Sequence, residues 1–287
     1  SNRHRGYAST WPHPAIPIYC NFWNAPWTPH NLGIGIALQS GFQSWQGVIF
    51  IMIFPDPPNP ESTGDSTTAP EVVGRFSDAE INAVYKAIAL RRDIRHFRPG
   101  HVPAEQLSRL IEAARRGPSV GFMQPWRFIR ITDADLRRAV HALVEQERIR
   151  TARALGERED EFMRLKVEGV LECAEVLVAA LMDGRERHIF GRRTLPEMDL
   201  ASVACAIQNL WLAARAEGLG MGWVSLFDPA ALAELLAMPE GAKPIAVLCL
   251  GPVERFYDKP MLESEGWAKP QPLQEQVWEN GWGNVSS

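Results

Sequence analysis

The residues with the clearest chemical potential stand together at Arg91-Arg92-Asp93-Ile94-Arg95, three arginines and one aspartate in five positions. A guanidinium is a planar fork that holds a phosphate through two parallel hydrogen bonds, so Arg91, Arg92 and Arg95 are candidates to clamp a phosphorylated ligand. Charge alone leaves a second reading open, because cations also gather at helix C-termini, where water solvates them. Asp93 in their midst is either their ion-pair partner or a carboxylate placed for proton transfer. The arginines are expected to keep it ionised, and so to weaken it as a base.

Two further stretches carry usable groups. Gly117-Pro118-Ser119-Val120-Gly121-Phe122-Met123-Gln124-Pro125-Trp126 is punctuated as an ordered loop. Ser119 and Gln124 offer polar atoms, and Phe122, Met123 and Trp126 offer apolar surface. A flat heteroaromatic ligand needs that mixture, although a well-packed turn would use the same residues. Gly220-Met221-Gly222-Trp223-Val224-Ser225 reads as a tight turn into a strand, where glycine lets the backbone approach a ligand and Ser225 adds one hydroxyl.

Other chemistries are not signalled. Neither a phosphate-cradling G-x-x-x-x-G-K-[ST] nor a dinucleotide G-x-G-x-x-G is present, and G-x-S-x-G is missing too. The seven histidines show no metal-ligand spacing, so no metal is expected. Cys20, Cys173, Cys205 and Cys249 form no C-x-x-C pair and read as buried, reduced thiols of a cytoplasmic protein.

The elements that would position these groups follow from periodicity. Ser77 and Glu80 form a capping box that opens a helix carrying Ile81, Val84, Tyr85 and Ile88 on one stripe. A second helix runs from near Pro103 to just before Gly117. Trp126 to Thr132 alternates as a strand, and 133–155 is a charged amphipathic helix. Residues 157–172 are expected to be helical, and 145–170 to form a cover over the site. Glu175 to Met182 is an apolar run of buried-strand length. Met198 to Glu217 reads as a central helix stopped by Gly218 and Gly220. Met221 to Phe227 and Pro244 to Leu250 are strands, with a helix at 229–238 between them. Helices outnumber strands without strict alternation, which predicts an α+β architecture with a central sheet.

Composition divides the 287 residues unevenly. Residues 1–70 hold five charged side chains, whereas the remainder carries 28 of the 30 Lys+Arg and 31 of the 34 Asp+Glu. The segment 1–75 is therefore expected to be a low-charge, poorly ordered appendage ending in a Pro/Ser/Thr-rich linker, with the functional domain at 76–287. A net charge of −4 supplies no electrostatic footprint for nucleic acid or an anionic membrane. The apolar run Val48 to Phe54 is too short to cross a bilayer.

Together these stretches resemble the nitroreductase-like flavoproteins, and most of all their 5,6-dimethylbenzimidazole synthase branch, which makes the lower ligand of cobalamin. The resemblance spans nearly all of 76–284. Besides the three stretches above it rests on Leu165-Lys166-Val167-Glu168-Gly169, on Gly191-Arg192-Arg193-Thr194-Leu195-Pro196-Glu197-Met198-Asp199, and on the run Cys205 to Gly218. Phe122 stands where general nitroreductases often carry asparagine, a departure that fits the synthase branch. The resemblance implies a nitroreductase-like α+β fold, its central mixed sheet flanked by helices, and a homodimer with FMN at the subunit interface. It implies reduced FMN as substrate and dioxygen as co-substrate, fragmented to 5,6-dimethylbenzimidazole and a four-carbon sugar phosphate, with a separate flavin reductase as supplier. It puts Arg91, Arg92 and Arg95 on the ribityl phosphate and nearby polar atoms, with Ser119 in support and Ile94 and Gln124 completing the flavin-binding set. Asp93 and Ser225 become the catalytic candidates beside the reactive centre. Two readings compete: an FMN-dependent NAD(P)H nitroreductase or dehalogenase that retains its flavin, and a module that only stores or senses flavin.

Overall fold

The computed structural model describes residues 74–284. Four strands form one sheet in the order β1 (Trp126–Ile131), β2 (Glu175–Leu181), β4 (Lys243–Gly251) and β3 (Gly220–Val224). Every pair is antiparallel, and the parallel component is confined to a single bridge, Asp93 to Met221, along the outer edge of β3. The expected appendage lies outside the described residues apart from Gly74 and Arg75.

Alternation along the strands builds two cores. Leu177, Ala179 and Leu181 of β2 and Ala246, Leu248 and Leu250 of β4 face one side. They pack there against α2 (Ala104–Arg115) and α5 (Met198–Ala216). Val176, Val178, Val247 and Cys249 face the other side, with α3 (Ala134–Ala154) and α6 (Pro229–Leu235). A central strand covered on both faces must be apolar at every position, which is why β2 reads as an unbroken hydrophobic run.

Local signals hold at most termini. Ser77 Oγ accepts the amide of Glu80, whose carboxylate accepts the amide of Ser77 at 2.9 Å, so the capping box opens α1 (Asp78–Leu90). Asp133 caps α3 and Asp228 caps α6. Gly218, at φ +78°, stops α5 in the left-handed region that favours glycine.

Three expectations need correction. Residues 157–172 do not form one helix: a 3-10 turn leads into the short α4 (Glu159–Arg164), and 165–172 is irregular. The reason is tertiary. A Cβ on Gly169 would meet the Phe97 ring at 2.6 Å and the Arg95 carbonyl oxygen at 3.0 Å, so this stretch lies against the Arg95 backbone instead of coiling away from it. Strand β3 ends at Val224, so Ser225 stands at its exit rather than within it. Cys173 and Cys249 are buried, but Cys205 is exposed, because it lies on the face of α5 turned away from the sheet. The apolar stripe of α1 is likewise uncovered within the chain, with no residue of that helix buried and Tyr85 68% exposed. Among the described residues no helix is long and apolar enough to cross a membrane.

Candidate active site

The backbone of the segment following α1 is tied to β3 by a bond from the Ile94 amide to the Met221 carbonyl at 2.9 Å. That bond fixes the directions of its side chains. Ile94 drops into the core and is fully buried. Asp93 and Arg95 turn along β3 toward a cavity of about 550 Å³. Gly222 makes this possible, since a Cβ there would fall 2.3 Å from the Ile94 carbonyl oxygen and 3.0 Å from Arg95 Nη1.

Asp93 is held at both oxygens. Oδ1 accepts the Trp223 amide at 3.0 Å, and Oδ2 lies 2.5 Å from Arg95 Nη2, which also donates to the Trp223 carbonyl at 2.8 Å. Counting charges predicts a carboxyl kept low by its arginines, and the structure reverses that expectation. Burial raises the Asp93 pKa, outweighing Arg95, the Trp223 amide and Arg91. Its side chain is 41% accessible, on the side that lines the cavity.

The three arginines have different jobs. Arg92 is committed to backbone: Nη1 donates to the carbonyls of Ala89 (2.8 Å) and Arg91 (2.7 Å), and Nη2 to that of Asp258 (2.8 Å). The Arg95 side chain is only 10% exposed and locks Asp93 to β3. Arg91 lies 4.5 Å above the Trp211 ring and forms no ion pair among the described residues. Within this cluster two buried donors, Arg92 Nε and Arg95 Nη1, have no hydrogen-bond partner among the described residues, as does Arg148 Nε elsewhere. Orphaned buried cationic donors are costly unless a ligand completes them, so the donor set fits an anion with further acceptor atoms.

The cavity walls are apolar. Phe162 of α4, Leu165, Val167, Met261, Leu262 and Trp267 line the cavity, with the Phe162 and Trp267 rings 6.1 Å apart in one cluster. Outside the lining, the Arg158 guanidinium lies 3.5 Å over the Trp267 ring. Ser225 lines the same cavity, so the structure brings Arg91, Arg92, Asp93, Arg95 and Ser225 together there. Phe162, Leu165 and Val167 fall within the 145–170 stretch expected to cover the site, whereas Met261, Leu262 and Trp267 were not legible as site residues, since no local pattern marks them.

Ser119 and Gln124 do not join that group within one chain. Their loop precedes β1, at the far edge of the sheet from β3, three strand spacings or about 14 Å away. The loop is tightly determined. Ser119 Oγ accepts the Gln124 amide at 3.0 Å, Ser202 Oγ accepts the Val120 amide at 3.0 Å, and Gly121, Phe122 and Gln124 all take φ near +50°. Phe122 is 82% exposed at its tip, beside the equally exposed Phe190.

One triad among the described residues has metal-ligand types: His141, Glu145 and Glu168, within 4.8 Å of one another. Its carboxylates are already engaged, Glu145 by Arg148 and Glu168 by the Val170 amide.

A sequence model of the nitroreductase family matches residues 88–252, which contain the arginine cluster, the Ser119–Gln124 loop and Ser225. The chain belongs to the nitroreductase family. Within it, the chain is 41% identical over 185 residues to a 5,6-dimethylbenzimidazole synthase of Rhodospirillum rubrum, covering 63% of this chain and 87% of that protein. It is 36% identical over 206 residues to a 5,6-dimethylbenzimidazole synthase of Rhodobacter capsulatus, covering 71% and 98%. The fold is shared with the NADPH:FMN oxidoreductase of Vibrio harveyi complexed with NAD+, at TM-score 0.52 and 22% identity over 71% of this chain and 80% of that one. It is shared too with iodotyrosine deiodinase bound to FMN and 3-iodo-L-tyrosine, at TM-score 0.52 and 22% identity over 61% and 92%.

Proposed function

We propose that the chain fragments reduced FMN with dioxygen, releasing 5,6-dimethylbenzimidazole, a four-carbon sugar phosphate and the oxidised pyrimidine remainder of the ring. The observation that carries this reading is the pairing of Asp93, a carboxyl raised by burial, with Ser225 on one cavity whose arginines retain orphaned donors. The similarity to two named 5,6-dimethylbenzimidazole synthases supports it.

The roles follow from the donor inventory. Arg91, Arg92 Nε and Arg95 Nη1 would hold the ribityl phosphate and neighbouring polar atoms. The apolar walls suit the faces and methyl-bearing edge of the ring system. FMN bound here supplies the ring that is cut. Asp93 accepts a proton from the ribityl C1′ region, and its raised pKa makes it a better base than an ordinary carboxylate. Ser225 donates its hydroxyl to a ring-edge atom as charge develops. Phe162, Leu165 and Val167 exclude bulk water.

A second copy completes the site in this reading. Ser119 and Gln124 then reach a flavin held by Asp93 and Arg95 from another chain, and the exposed Phe122, Phe190, Tyr85 and Ile88 supply an apolar surface for it to cover. Reduced FMN comes from a separate flavin reductase, and the free thiols of Cys173 and Cys249 suit a reducing, cytoplasmic setting.

Aerobic incubation with chemically reduced FMN, followed by mass spectrometry, tests the proposal. 5,6-Dimethylbenzimidazole is the expected product. Full recovery of oxidised FMN after each cycle would instead establish an oxidoreductase that retains its flavin.

A further inference from the structure

We propose that Tyr257 is a positioning residue for Asp93 and Arg95, acting through one saturated hydroxyl. The inference rests on the fragmentation reading above for its activity readout alone. Tyr257 lies beyond the stretch matched to the nitroreductase family, which ends at residue 252.

Past the Ile94 amide, the segment carrying the site leaves β3 and has no further strand pairing. The next two amides, of Arg95 and His96, both donate to Tyr257 Oη, at 3.2 and 3.3 Å, and have no other partner among the described residues. Those bonds occupy both lone pairs of the hydroxyl. Its one proton must therefore go to His96 Nδ1, 2.6 Å away, which makes that nitrogen an acceptor. The oxygen then makes every bond it can.

The neighbours of Tyr257 grip the same segment. Asp258 accepts from Arg92 Nη2, and Phe256 lies 3.8 Å beneath Arg215, whose Nε donates to the Leu90 carbonyl at 3.0 Å. Residues 256–258 thus clasp the chain at Leu90, Arg92 and Arg95. Only the Tyr257 contact bears on the peptide whose side chain is ion-paired to Asp93. Loosening it frees the Asp93–Arg95 pair, while Arg92 stays fastened by three carbonyls.

Tyr257→Phe keeps the ring and its edge contact with His96 and removes only the hydroxyl. Three quantities are read on the full chain: hydrogen–deuterium exchange in peptides spanning 93–97, FMN affinity, and product formed per bound flavin. Exchange should speed up about tenfold or more in those peptides alone. Product per bound flavin should fall about 10- to 100-fold, the scale of a misplaced reacting group, with FMN affinity changed less than about threefold. His96→Asn keeps an acceptor where Nδ1 was and should retain most of the product yield. His96→Leu should behave like Tyr257→Phe, and it carries the same test if Tyr257→Phe does not fold. Unchanged exchange at 93–97, or product loss matched by equal loss of affinity, overturns the proposal. A wild type that binds FMN and yields no 5,6-dimethylbenzimidazole overturns the fragmentation reading instead, and exchange still decides on Tyr257.

Discussion

The two edges of the sheet treat their functional residues in opposite ways. Along β3, Asp93, Arg92 and Arg95 are knitted into backbone and one another, and two of their donors, Arg92 Nε and Arg95 Nη1, stay buried without a partner among the described residues. At the β1 edge, the Ser119–Gln124 loop satisfies its own amides, takes left-handed backbone at non-glycine residues, and projects an aromatic ring into solvent. Backbone held in that region costs a non-glycine residue about 1–3 kcal/mol, and an exposed phenyl ring adds an unfavourable hydration term. In the proposed reading the first edge takes a small ligand and the second meets a second copy of the chain. Of the residues that sequence motifs would assign to one flavin, the first edge holds Arg91, Arg92, Asp93, Ile94, Arg95 and Ser225, and the second holds Ser119 and Gln124.

The largest effect should come from the first edge. Asp93→Asn keeps the shape and removes charge and basicity, so product formation should fall about 10²- to 10⁴-fold while FMN affinity holds. Reduced FMN would simply reoxidise, and measuring flavin recovery alongside product separates uncoupling from lost binding. Near wild-type product would remove Asp93 from the chemistry and leave the cavity as a binding site only.

A change at the second edge tests whether the two halves meet. Phe122→Asp replaces an exposed apolar anchor with a charge, and aspartate tolerates the +53° φ better than most residues. Dimer dissociation should strengthen at least about tenfold, as for loss of an interface anchor, and FMN affinity should fall with it. Sedimentation at several concentrations, with and without FMN, makes the measurement. Unchanged assembly with unchanged FMN binding would show that each chain completes its site alone.

Local chemistry made much of this legible in the sequence. The Ser77–Glu80 capping box, the apolar run of β2 and the glycine stop after α5 each depend on near neighbours. The arginine cluster stood out by residue type, but charge alone left a solvated helix end open, and only the family resemblance pointed it to phosphate. What escaped depends on contacts far apart in the chain. The helical reading of 165–172 failed because Gly169 must lie against Phe97 and Arg95. The Asp93 pKa was misjudged because counting arginines omits burial, which here outweighs them. Tyr257 meets Arg95 across a sequence gap of 162 residues, and nothing in its own neighbourhood marks it.

The arginines then sharpen the contrast within the first edge. Arg92 and Arg95 support backbone and Asp93, so truncating either mixes folding with binding. Arg91, resting on Trp211, offers the cleaner test. Arg91→Ala should weaken FMN about tenfold, equivalent to ~1.4 kcal/mol, and riboflavin much less. Titrating both ligands checks it, and equal loss for the two would take Arg91 off the phosphate.

The smallest effect is thermodynamic, and its sign sets Asp93 apart from an ordinary surface carboxylate. Burial raises the Asp93 pKa above that of the unfolded chain, so folding favours the protonated form. The resulting stabilisation is complete below the unfolded value, about 3.9, and is lost as pH rises through the higher folded value. Asp93→Asn mimics the protonated carboxyl at every pH. Thermal midpoints should therefore place the wild type closest to, or above, the variant in acid, with the wild type losing ground as pH rises and the variant at least its equal at neutrality. Glu217 provides the opposite case at the end of α5, where its bonds to Arg109 hold its pKa below the ordinary value. Its contribution is present above the unfolded value of about 4.3 and lost as pH falls through the folded one, so Glu217→Gln should be most harmful near neutrality. Melting the three proteins between about pH 3.5 and 7.5 should give trends of opposite slope for the two variants. If Asp93→Asn instead loses most stability at neutral pH, the arginines outweigh burial, and Asp93 is a structural ion-pair partner rather than a base.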